Sequence, residues 1–93
     1  MATFGERLKY VRTMRNMTQL EVAEKAGMNN RMVSMAETDV HVPSIQNIYR
    51  MADALNVFIV ELLYDEDGNR VIFKGRKNGS KTLWDGPDRE PAP

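Results

Sequence analysis

The 93 residues, 42% hydrophobic and 28% charged, suffice for one small domain and exclude two independent cores. Thirteen Lys and Arg balance thirteen Asp and Glu, so a case for nucleic acid has to rest on where the charges sit rather than on their sum. The absence of cysteine excludes disulfides, Cys-ligated zinc and thiol nucleophiles, and the one histidine, His41, leaves no second imidazole for a metal cluster. The longest apolar run, Val57 to Val60, is too short for a bilayer, and the first residues lack the basic-then-apolar order of a signal peptide. The expectation is a soluble cytoplasmic protein with no cofactor and no membrane contact.

Phe4, Leu8 and Val11 recur at helical spacing between charged residues, predicting a first helix that ends at Arg15-Asn16, where Asn16 supplies a left-handed cap. Thr18 and Glu21 form a capping box that opens a short second helix with Val22, Ala23 and Ala26 inward and Leu20 wholly or partly facing solvent, stopped by Gly27. Asn29 is the N-cap of a third helix, Asn30 to Glu37, with Met32, Val33 and Ala36 on one side. Pro43-Ser44 begins a fourth, in which Ile45, Ile48, Met51, Ala52 and Leu55 repeat as far as Asn56, and Ile59 to Leu63 makes a short fifth. Met17, Met28, Met32 and Met51 take positions that pack a small helical core rather than a ligand pocket.

The texture changes near Tyr64. Asp65, Asp67 and Asn69 read as a turn rather than a calcium loop, because Gly68 comes too early and no distal glutamate follows. After it, Arg70 to Lys74 and Lys81 to Trp84 are strand candidates around the hairpin signal Asn78-Gly79. Residues 68 to 84 carry Arg70, Lys74, Arg76, Lys77 and Lys81 without an acid. The expected organisation is therefore a domain at 1–64, a β extension at 65–86, and a Pro-rich disordered tail at 87–93.

Two short helices around the tight turn at Gly27 form a helix-turn-helix, which suits DNA because the second helix fits the major groove with its N-terminal side chains at base edges. Here the sequence resembles the Cro and phage-repressor (XRE-type) family over residues 4 to 63. The core string is Thr18-Gln19-Leu20-Glu21-Val22-Ala23-Glu24-Lys25-Ala26-Gly27-Met28, followed by Glu37, Pro43-Ser44 and Leu55-Asn56-Val57 at the family's offsets. The resemblance implies a mainly α, five-helix repressor-like domain that works as a homodimer on a palindromic operator in double-stranded DNA. Three places depart from the pattern: Asp39 replaces a glycine, Val40-His41-Val42 lacks the usual Lys or Arg, and Phe58 replaces a Ser or Thr cap.

The resemblance places Thr18, Gln19, Asn29, Asn30, Arg31, Ser34 and Met35 toward DNA. Arg31 can donate two hydrogen bonds to guanine and Asn30 can pair with adenine, whereas Met35 offers only apolar contact. Asn29 is a cap first and a phosphate ligand second. Gln19 stands where free helix N-terminal amides favour a phosphate, the plain alternative being an exposed polar residue. His41 is a phosphate contact or, more simply, a loop histidine. Arg12 and Glu37 match the family's structural ion pair. Val71, Ile72, Phe73, Leu83 and Trp84 are assigned to dimerisation, since a lone two-stranded ribbon is marginal; the basic stretch could also track phosphates. The expected function is a transcriptional repressor rather than an enzyme, and the alternative is an antitoxin-like protein whose C-terminal segment binds a partner protein.

Overall fold

A computed structural model of the chain describes residues 2–74. Within them the order is α1 (Phe4–Met14), α2 (Gln19–Ala26), α3 (Asn30–Glu37), α4 (Ile45–Leu55) and α5 (Val60–Leu63). Each boundary has a local chemical cause. Thr3 with Glu6, and Thr18 with Glu21, form reciprocal capping boxes, while Asn29 and Ser44 cap α3 and α4 through their side-chain oxygens. α2 ends at Gly27 (φ 72°) and α4 at Asn56 (φ 61°), both left-handed, and Asn16 (φ 58°) follows the end of α1.

The apolar positions face one core. Phe4, Leu8, Val22, Val33, Ile48, Met51, Leu55 and Leu62 are almost wholly buried, with Met17 and Met28 packed at its edge. Burying side chains of this size contributes about 1.5 to 3 kcal/mol each. α2 packs on α3 and α4, and α1 packs on α3 and α5. The α1–α3 approach is close enough to require Gly5: a Cβ there would lie 2.4 Å from the Glu37 carbonyl oxygen and 2.6 Å from that of Ala36. Arg7, itself buried, ties α1 to α5 and the turn after it, since its Nε donates to the Glu61 carbonyl at 2.7 Å and its Nη atoms lie 3.6 Å from carboxylates of Glu61 and Glu66.

Packing onto the helical core continues beyond Tyr64. Asp65 accepts the amides of Asp67 and Asn69, both at 2.9 Å, and thereby closes a turn. These two backbone hydrogen bonds hold its carboxyl below the usual carboxylate range. Val71 then enters the core at 5% exposure, and Phe73 stacks on Phe4 with ring centroids 5.4 Å apart.

The expected C-terminal hairpin needs correction. Residues 70–74 form no regular strand; they make isolated bridges from Ile72 to Thr3 and from Arg70 to Tyr64. The reason is that their backbone groups are already engaged by the helical domain. Val71 N–H donates to the Leu63 carbonyl, Ile72 N–H donates to that of Ala2, and the Ile72 carbonyl accepts from Phe4 N–H. The other half of the expected hairpin, Asn78-Gly79 and Lys81 to Trp84, and the expected tail at 87–93, lie outside the described residues.

Candidate nucleic-acid interface

α2 and α3 meet through Gly27, whose left-handed backbone lets the chain reverse within two residues. The Gly27 and Met28 amides bond back to the Glu24 and Ala23 carbonyls at 3.3 and 2.9 Å, satisfying the end of α2. Met28 packs against the core and fixes the exit direction. Asn29 then starts α3 by accepting the Met32 amide at 2.9 Å, so its oxygen serves the cap and its amide nitrogen is the group left for a ligand.

α3 divides cleanly by exposure. Val33, Ala36 and Glu37 are buried, Met32, Ser34 and Met35 are half-buried, and Asn30 and Arg31 are exposed. The N-terminal turn thus offers an amide and a guanidinium to solvent. The Met35 carbonyl accepts the amides of Val40 and His41, which folds the loop back over the end of α3 and leaves the His41 side chain exposed.

Beneath this face lies a polar joint. Arg12 reaches from α1 and donates from Nε to Glu37 Oε2 at 2.5 Å, from Nη2 to Oε1 at 3.1 Å, and from Nη1 to the Met17 carbonyl at 2.8 Å. Gln19, from the start of α2, donates from Nε2 to the same Oε1 at 3.0 Å. Glu37, with only 3% side-chain exposure, therefore joins α1, α2 and α3. The bidentate fork fixes relative orientation as well as distance. The residues read as a pair from the sequence are a trio, and Gln19 is tied inward rather than standing free as a polar surface group.

At the start of α2, Glu21 N–H is satisfied by the Thr18 hydroxyl and Val22 N–H by the Thr18 carbonyl. The amides of Gln19 and Leu20 have no acceptor among the described residues and form the positive end of the helix. Of the residues assigned to dimerisation, Val71 and Phe73 are held in the domain's own packing, Ile72 is 44% exposed, and Leu83 and Trp84 lie outside the described residues.

Two contributors were missed by the sequence reading. Asp39, in the left-handed conformation (φ 65°), accepts the Gly5 amide at 2.9 Å and the Thr3 hydroxyl at 2.7 Å. Arg15 donates from Nε to the Leu55 carbonyl at 3.0 Å, closing the end of α4. Among the described residues no group of three or more His, Cys, Asp or Glu could hold a metal, and no helix is long and apolar enough to cross a membrane.

A family model described as helix-turn-helix matches residues 8–62. The chain belongs to that family, of the XRE type. It is 31% identical over 64 residues to the immunity repressor protein of Bacillus phage phi105, covering 69% of this chain and 44% of the repressor. The chain thus spans less than half of that relative's length. Among solved structures it resembles the restriction-modification controller protein C.AhdI from Aeromonas hydrophila, with TM-score 0.62, 32% identity, and coverage of 63% of this chain and 89% of that one. It also resembles SinR, the master regulator for biofilm formation, solved in complex with DNA, with TM-score 0.62, 32% identity, and coverage of 66% and 98%.

Proposed function

We propose that this helix-turn-helix chain is a sequence-specific transcriptional repressor that binds a palindromic operator as a homodimer. The observation that carries the reading is the exposed N-terminal turn of α3, with Asn30 and Arg31 outward, held rigid by the Arg12, Gln19 and Glu37 joint beneath it. A recognition helix needs both properties, because base discrimination depends on side chains arriving at base edges in a fixed register. The DNA complex of SinR and the similarity to a phage immunity repressor support the same direction.

In this reading Arg31 donates to guanine and Asn30 pairs with adenine. Ser34 and Met35, one turn further along and half-buried, border the contacted bases. Thr18, the Gln19 and Leu20 amides, the Asn29 side-chain nitrogen and His41 position phosphates. A helix N-terminus presents free N–H groups to an anion, and such contacts orient the protein without reading sequence.

The zero net charge leaves each copy with little electrostatic affinity, so two linked readers are required. Val71 and Phe73 are committed to the fold itself. We assign the dimer joint instead to apolar side chains left exposed on the same C-terminal elements: Val60 (53%), Tyr64 (40%) and Ile72 (44%).

Selection from a random DNA pool tests the reading. An enriched inverted repeat, with half-sites centred about 10 base pairs or a multiple of that apart, supports it. An unenriched pool, or one lone half-site without symmetry, overturns it.

A further inference from the structure

Phe58 is 82% exposed, more than any other large apolar side chain among the described residues. Its side chain neither packs in the core nor caps a helix: α5 begins at Val60, with Ile59 at the N-cap and no side-chain capping bond. A phenylalanine that does nothing for the domain, at a place where a Ser or Thr would cap, calls for an occupant. Phe58 borders an open groove of about 480 Å³ on the outer side of α1, which Tyr10 and Met14 also line. Those two side chains are 46% and 63% exposed. The volume falls in the range that accommodates a large aromatic group.

The groove has a polarity along α1. Its Arg7 end carries the carboxylates of Glu61 and Glu66 around the single Arg7 guanidinium, an excess of one negative charge. Its middle is apolar, with Tyr10, Met14 and Phe58. Its far end carries Arg15, exposed and without an acidic partner among the described residues. From Arg7 to Arg15 is about 12 Å at the helical rise of 1.5 Å per residue.

The chain contains one segment of the complementary order. Lys81-Thr82-Leu83-Trp84-Asp85 runs from a cation through two large apolar residues to an anion. Fully extended, its ends are about 13 Å apart at about 3.3 Å per residue. The direction also fits. Phe73 stacks on Phe4, at the first turn of α1, so the chain leaves the described domain near the acidic end of the groove. The seven steps from Lys74 to Lys81 reach at most about 25 Å, whereas Phe4 and Arg7 are separated by about one helical turn.

We propose that the Phe58 groove is a docking site for residues 81–85 of this same chain, with Lys81 at Glu61 and Glu66, Leu83 and Trp84 between Tyr10, Met14 and Phe58, and Asp85 at Arg15. The short tether gives the segment an effective concentration in the millimolar range, which favours its own groove over that of a second copy. The segment is then a cover for an apolar patch on the face of α1. This assignment stands apart from DNA binding, and its test needs no DNA.

Trp84 is the only tryptophan among the 93 residues, so the emission of this chain reports on it alone. The expected result is an emission blue-shifted from that of free tryptophan in water and poorly quenched by acrylamide. Phe58→Glu should move it to the red and open it to quencher without changing the far-UV circular dichroism. Arg15→Glu should weaken the effect, and Arg15→Glu combined with Asp85→Arg should restore it. The blue shift should persist unchanged on dilution through the range where sedimentation shows monomer. Water-like emission in the unaltered protein, indifference to Phe58→Glu, or a blue shift that appears only with dimer would each overturn the proposal, the last by assigning the groove to a second copy.

Discussion

Asp39 and Gly5 are joined by a hydrogen bond of 2.9 Å from the glycine amide to the aspartate carboxylate, so a residue two positions beyond α3 caps the beginning of α1. The second carboxylate oxygen accepts the Thr3 hydroxyl at 2.7 Å, and that same hydroxyl accepts the Glu6 amide. The negative charge thus sits at the positive end of α1 while α3's own terminal carbonyls crowd against Gly5. This explains an aspartate at a position that resembles a family glycine: the left-handed backbone disfavours a side chain, and the capping bonds offset that cost.

Asp39→Ala should therefore destabilise the fold by about 2 kcal/mol, from loss of a charged cap at unchanged backbone strain. Asp39→Gly should cost less, about 1 kcal/mol, because it loses the cap and relieves the strain. Urea unfolding of the two variants checks the order; equal losses would mean that the carboxylate contributes nothing beyond the turn.

Gly5→Ala tests the close approach itself. A methyl group placed 2.4 Å and 2.6 Å from backbone oxygens forces α1 and α3 apart, with an expected loss of about 1 to 3 kcal/mol. Because α3 moves with it, DNA affinity should fall along with the melting temperature.

Glu37→Ala should lower the stability by about 3 to 5 kcal/mol, since it strands the Arg12 guanidinium in a site of 14% exposure and leaves Gln19 without its acceptor. Glu37→Gln should lose less. Thermal melting measured beside DNA binding separates the roles: weak binding at unaltered melting temperature would make Glu37 a DNA contact rather than a joint.

Much of the helical architecture is legible because its signals are local. Thr18 with Glu21, Gly27, Asn29, Ser44 and Asn56 each act within a few residues, and the structure uses each where the sequence places it. Asp39 was not legible as a cap because its partners lie 34 and 36 positions earlier. For the same reason Gln19 reads as a surface residue until α3 brings Glu37 beside it. The segment 70–74 misled through local texture: Val71, Ile72 and Phe73 are β-favouring residues near Asn-Gly, yet their partners are Leu63, Ala2 and Phe4 rather than a neighbouring strand. Periodicity reports which residues are apolar, not which distant backbone they meet.

Val71 gives that contact a measurable consequence. A chain ending at Tyr64 loses a core side chain worth about 1.5 to 3 kcal/mol and the backbone bonds of Val71 and Ile72. It should be markedly less stable to urea than one ending at Lys74. Equal stability would place the segment outside the cooperative unit.

Acid should act through Asp65. Its folded-state pKa lies below the ordinary carboxylate value of 3.8, chiefly through the Asn69 backbone hydrogen bond. A lowered folded pKa stabilises the fold at pH values above 3.8, and this contribution is lost as the pH falls from there through the lower folded value. Asp65→Asn, which retains an acceptor but does not titrate, should show a smaller loss of stability between pH 5 and pH 2, roughly the window in which carboxylates protonate, when urea midpoints are compared. An identical acid loss in both proteins would contradict the assignment.

Whether the N-terminal turn of α3 reads bases is decided by measuring Arg31→Ala against every single-base variant of the selected operator. The expected result is relaxed discrimination at one base position, repeated symmetrically in both half-sites, with about 1 to 3 kcal/mol of preference lost there and an unchanged melting temperature. A uniform loss across all variants, with every base preference intact, would show that Arg31 holds phosphate and that the reading face lies elsewhere.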